Sequence, residues 1–173
     1  GGLLSIWLLK KHSSQIRAVI GLAPAAAPNE KIKTLGLLVY VLLWPIAILI
    51  LNSGLIYAIL RSVVGYPQHI HRESIDYYMR PYINNRSALI CIQKALATLT
   101  DPRIPEDLNG LGEKVMIVEA QADPWVDPTS LLRLQQTLQP RKFVSHPQSG
   151  HHIQECEPDW AAEKIQIFLQ TLV

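Results

Sequence analysis

The chain has 173 residues, of which 49% are hydrophobic and 17% charged. That length bounds one domain with a sizeable core, and that apolar content excludes a disordered chain. The formal net charge is +2 and its basic residues are scattered without an interleaved aromatic platform, so a nucleic-acid binder is excluded as the leading reading. Cys91 and Cys156 are too far apart for a metal pair and too few for a disulfide framework. Free thiols in a reducing, cytoplasmic compartment are therefore expected.

Gly1-Gly2 runs directly into an apolar stretch with no initiator Met. No basic region precedes it and no small-residue cleavage site follows, so it is not a signal peptide. It reads as the interior of a longer protein. Leu3 to Lys11 predicts a helix, with Lys10 and Lys11 placed where a helix C-terminus favours cations. Ile16 to Ala23, rich in β-branched residues and ended by Pro24, predicts a buried parallel strand. A helix feeding such a strand is the second half of a βαβ unit, whose first strand would lie upstream of Gly1.

Thr34 to Leu60 contains no charged residue, and Leu35 to Leu51 is almost wholly apolar apart from Gly36 and Pro45. Two readings fit residues 35–60. One is a pair of apolar helices forming a lid over a pocket, with Trp44 as a pocket-lining candidate. The other is a membrane span or surface contact, for which about 18–20 apolar residues suffice. The lid is preferred, and membrane or lipid contact is the alternative. Residues 65–85 are polar and aromatic, and Tyr66, Tyr77, Tyr78 and Tyr82 read as cap packing.

Arg86 to Thr100 predicts a helix, since Leu89, Ile92, Leu96 and Leu99 share one face. After a Pro/Gly-rich connection, Lys114 to Glu119 predicts a second buried strand. Asp127 or Thr129 can cap a helix that runs to about Leu138. Lys142 to Val144 predicts a short third strand, and Pro158 opens a closing helix with Ile165, Phe168, Leu169 and Leu172 on one side. The fold class expected is α/β, a parallel sheet flanked by helices. Residues 1–28 and 86–173 form its core, and residues 29–85 an apolar helical cap insertion.

In open α/β sheets, working residues gather past the carboxyl ends of the strands. Asp123 follows the second strand, in Ala120-Gln121-Ala122-Asp123-Pro124-Trp125-Val126. His151 follows the third, in Ser149-Gly150-His151-His152-Ile153-Gln154-Glu155-Cys156-Glu157-Pro158. A carboxylate against an imidazole fixes its tautomer and stabilises the imidazolium formed when it takes a proton. Such a pair works only beside a nucleophile or an attacking water.

Over nearly its whole length the chain resembles the α/β-hydrolase superfamily, whose catalytic residues come in the order nucleophile, acid, histidine. Asp123-Pro124 matches the acid's strand–Gly-x-x-Asp-Pro context, with Ala120 standing where the glycine is expected. Gly150-His151 with Gln154, Glu155 and Pro158 matches the histidine's. Gly1-Gly2 looks like the end of the family's nucleophile elbow, which leads straight into a helix. The resemblance implies a nucleophile two positions before Gly1, outside these 173 residues, which contain no Gly-x-Ser-x-Gly. It also implies an esterase- or lipase-like hydrolase acting on a small hydrophobic substrate, with no cofactor and no metal. By itself this stretch of chain is expected to be inactive. An aspartate nucleophile, as in the superfamily's epoxide hydrolases and haloalkane dehalogenases, is one alternative. A non-catalytic membrane-associated protein of the same fold is the other.

Each candidate has a plainer reading. Asp123 before Pro124 could be only a turn residue. Asp127 competes as the acid but suits a helix cap. His152 reads as a neighbour pointing away, although a one-residue slip would exchange it with His151. His69 and His71 lack partners at metal-ligand spacing. Trp125 either lines the site mouth or packs its loop, and Cys156 reads as a buried neighbour. Asn85-Arg86-Ser87 is a glycosylation pattern that a cytosolic chain would not use.

Overall fold

The computed structural model describes residues 2–24, 72–81, 87 and 108–172. Gly1, the apolar run 35–60 with Trp44, the His69/His71 pair, most of the proposed cap and all but Ser87 of the helix expected over 86–100 lie outside the described residues.

Helix α1 spans Gly2–Lys11 and buries Ile6 and Leu9, while Leu4, Trp7 and Leu8 are exposed. It leads through a turn into strand β1, Val19–Leu22. Helix α2 is Arg72–Met79. Strand β2, Val115–Ala120, follows a short 3-10 turn over Gly112–Lys114. Helix α3 is Pro128–Leu138, strand β3 is Lys142–His146, and the chain closes with helices α4, Ile153–Cys156, and α5, Pro158–Gln170. The three strands form a parallel sheet in the order β1-β2-β3. Register pairs Leu22 with Val118 and Ala120 with His146.

Strand β2 is the centre of this sheet because it can be buried on both faces. Alternate side chains of a strand point to opposite faces. Val115 and Ile117 accordingly pack with Ile6 and Leu9 of α1 and Leu131, Leu134 and Leu138 of α3. Met116 and Val118 pack on the other side with Ile153 of α4 and Phe168 of α5. A continuous apolar run is what such a two-sided position demands. Strand β1, expected to be buried, is half-buried at all four residues. Among the described residues it has a strand neighbour on one edge only.

Local signals set the ends of the elements. Asp127 is the N-cap of α3, its carboxylate accepting from Ser130 N at 2.8 Å, with Pro128 in the first turn. A cap of this kind contributes about 1 kcal/mol, and the geometry fits the plainer of the two readings of Asp127. The helix ends at Gln139, whose φ of 48° is left-handed. Lys114 donates through Nζ to the carbonyls of Ser13 and Ile16, tying the turn after α1 to the start of β2. Gly112 lies where a Cβ would come within 2.1 Å of Leu138 O and 2.2 Å of Gln139 O. Its own carbonyl accepts from Arg141 N at 2.8 Å, so the chains entering β2 and β3 are in direct backbone contact.

Candidate active site

The loops leaving β2 and β3 lie side by side because their strands are adjacent and parallel. Past Ala120 the chain turns at once, with Asp123 N donating to Ala120 O at 3.2 Å. Ala120 thus closes the turn although the family pattern has glycine there. Asp123 Oδ1 accepts from Trp125 N at 2.7 Å and Val126 N at 3.3 Å. Its second oxygen, Oδ2, lies 2.7 Å from His151 Nδ1. The Asp123 side chain is only 2% exposed, against 26% for His151. The carboxylate is therefore aimed from both sides: backbone donors fix Oδ1, and the imidazole meets Oδ2.

A carboxylate can only accept, so Nδ1 of His151 carries the proton and Nε2 is left as the basic nitrogen. This is the arrangement a general base needs. The Trp125 ring stacks against His151 with centroids 5.8 Å apart and planes at 30°, and Trp125 remains 37% exposed. Trp125 thus lies at the rim of the histidine rather than under its loop.

His152 does not take the place of His151. Its ring meets His151 edge-on at 5.5 Å and Tyr78 at 6.0 Å. Burial, followed by the neighbouring His151, lowers its pKa below the ordinary 6.5, while Glu155 and Asp123 pull the other way. A lowered pKa at His152 favours its neutral form beside His151. Tyr78 Oη and Ser74 Oγ, one turn apart on α2, donate to Glu155 at 2.9 and 3.3 Å. Burial, together with the Glu155 carboxylate, raises the Tyr78 pKa. Helix α2 is thereby attached to α4, which directly follows the histidine loop, a contact that the sequence does not announce. The i, i+4 placement of Ser74 and Tyr78 was the available signal. Tyr77 is 69% exposed, which does not fit the cap-packing role expected of it among the described residues.

Gly2 opens α1 against the end of β1. A Cβ on it would approach Pro24 Cβ to 2.9 Å, and one on Gly21 would approach Pro24 Cγ to 3.0 Å. Cys156 is buried, as expected. A cavity of about 200 Å³ lies between α1, β1, β2 and α3, bordered by Gly2, Val19, Gly21 and Leu138. Neither Asp123 nor His151 lines it, so it is a gap in the packing along β1 and not the chamber served by the pair. Among the described residues no three His, Cys, Asp or Glu side chains are grouped as a metal site requires. No helix among them is long and apolar enough to cross a membrane.

No protein-family model matches the sequence, and no curated protein matches it. Among solved structures the chain is similar to an α/β-hydrolase enzyme from a Medee basin deep-sea metagenome library, with a TM-score of 0.71 and 18% identity. The match covers 98% of this chain and 62% of that one, so the chain spans less than two thirds of that enzyme's length. At this identity the likeness speaks for the fold. With a parallel sheet packed by helices on both faces, and with that likeness over almost all its residues, the chain has the α/β-hydrolase fold.

Proposed function

We propose that this chain belongs to a hydrolase in which His151 is the general base and Asp123 the acid that orients it. The observation that carries the reading is the 2.7 Å contact between His151 Nδ1 and the buried Asp123 carboxylate. The fold neighbour, itself an α/β-hydrolase enzyme and a longer chain, supports it. The nucleophile is a serine upstream of Gly1, where the elbow that Gly1-Gly2 resembles would continue. Ser149 is no substitute, because it is fully buried and its hydroxyl is bonded to His146.

In the acylation step His151 Nε2 takes the serine proton as the oxygen attacks an ester carbonyl. The imidazolium returns that proton to the departing alcohol. A water then loses a proton to Nε2, attacks the acyl-enzyme and releases the acid, with the serine reprotonated by His151. Asp123 stabilises the imidazolium both times without itself taking the proton. The substrate is a hydrophobic ester. Trp125 at the rim of the site and the apolar run 35–60, with Trp44, supply its binding surface. Contact of that run with a lipid surface is the alternative to its service as a lid.

The test is the full-length protein assayed on short- and long-chain acyl esters, with a fluorophosphonate probe and mass spectrometry to find the labelled residue. Label on a serine just before Gly1, together with turnover lost in His151→Ala, is the expected result. An aspartate there would instead turn over an epoxide or haloalkane rather than an acyl ester, and His151→Ala would then be trapped as the covalent alkyl ester of that aspartate, since the base would act only on water. A residue unable to attack would sink the enzymatic reading altogether.

A further inference from the structure

His146, the last residue of β3, stands at the start of the loop that carries His151 and has a different job. Ser149 and Ser130 are the two polar residues that are buried among those described, and Ser149 is 0% exposed. A hydroxyl so placed costs stability unless it is bonded. Both donors of Ser149 converge on one atom: its backbone N–H and its Oγ reach His146 Nδ1 at 3.1 and 2.8 Å. A backbone N–H can only donate. Nδ1 of His146 therefore keeps its lone pair, and its proton is on Nε2, the reverse of the tautomer held at His151. The His146 ring is also held edge-on against Trp160 of α5, at 4.9 Å.

The carbonyls of these two residues face the loop of the acid. Gln121 N donates to His146 O at 3.0 Å and Ala122 N donates to Ser149 O at 3.1 Å. Ala122 directly precedes Asp123, and Ser149 stands two positions before His151. The short span from His146 to Ser149 thus sets how far apart the carboxylate and the imidazole are held.

We propose that His146 and Ser149 are positioning residues, a hydrogen-bonded clip that fixes the distance between Asp123 and His151. The catalytic meaning of the clip rests on the hydrolase reading, but its geometry does not. Without the Nδ1 acceptor the buried Ser149 N–H and hydroxyl lose their partner, and the 147–150 turn must open to find another. A shift of about 1 Å in a catalytic pair can cost about 10²-fold in rate.

The test reads the pair directly. In full-length protein labelled with ¹⁵N-histidine, the Nδ1 proton of His151 bonded to Asp123 should give a protected, low-field resonance. His146→Asn places an amide oxygen near the position of Nδ1 and should preserve that resonance and its exchange rate. His146→Phe fills the space without an acceptor and should lose it, with kcat falling about 10²-fold and KM nearly unchanged. Ser149→Ala, which removes only the hydroxyl, should speed the exchange and is the variant to read if His146→Phe does not fold. The proposal is overturned if Ser149→Ala or a folded His146→Phe leaves the resonance and its exchange unchanged, or if His146→Asn behaves like His146→Phe. A wild-type protein that shows the resonance but no hydrolysis would count against the hydrolase reading and leave the clip standing.

Discussion

Asp123→Asn in the full-length protein should lower kcat by about 10⁴-fold without unfolding it. The size follows from which way the amide must face. Trp125 N and Val126 N donate to Oδ1 of Asp123, so in the variant the amide oxygen is required there. The NH₂ group is then turned towards His151. It can only donate, so Nδ1 must present a lone pair and the ring proton moves to Nε2, the atom that in the proposed mechanism accepts from the nucleophile. Volume and backbone contacts are preserved, which is why stability should change little. Turnover on an acyl ester, compared with circular dichroism melting of the same sample, checks both halves. A variant within tenfold of wild type would show that Asp123 is a turn residue and not the acid.

Gly112→Ala should act in the opposite way, costing stability of about 3 kcal/mol while sparing the chemistry of any folded molecules. The added Cβ would meet two carbonyl oxygens, Leu138 O at 2.1 Å and Gln139 O at 2.2 Å. These are backbone atoms at the end of α3, so no side chain can swing aside. Relief requires moving the α3–β3 connection, which also strains the 2.8 Å bond from Arg141 N to Gly112 O. The collision lies at the entry ends of β2 and β3, far along the strands from Asp123 and His151. A urea midpoint shift measures the effect, and a change under about 0.5 kcal/mol would mean that the turn adapts.

What was legible in the sequence is what one strong local signal determines. Strand β2 was readable because a strand buried on both faces has to be an uninterrupted apolar run. Asp127 was readable as a cap because its side chain and Pro128 both favour that one position. Asp123 and His151 were readable from their order and flanking residues, and the structure brings them within one hydrogen bond of each other. Strand β3 runs two residues beyond its apolar stretch because Ser145 Oγ pairs across to Glu119 at 2.5 Å and the half-buried His146 meets Trp160 edge-on, contacts that exist only in three dimensions. Helix α2 was missed although Ile75, Tyr78 and Met79 stand at helical spacing, because its eight residues are too few for that period to stand out and its contact is with a carboxylate distant in sequence. The short α4 and the His146–Ser149 clip depend on turn geometry that residue types alone do not specify.

The stacking of Trp125 on His151 also makes the molecule its own indicator. The indole and imidazole centroids are 5.8 Å apart, near enough for contact quenching, and a protonated imidazole, the better electron acceptor, quenches more strongly than a neutral one. The emission of Trp125, isolated by its difference from a Trp125→Phe variant, should therefore dim as His151 gains its proton and brighten as it gives the proton up. The proton on the His151 ring could then be followed optically, without any added label.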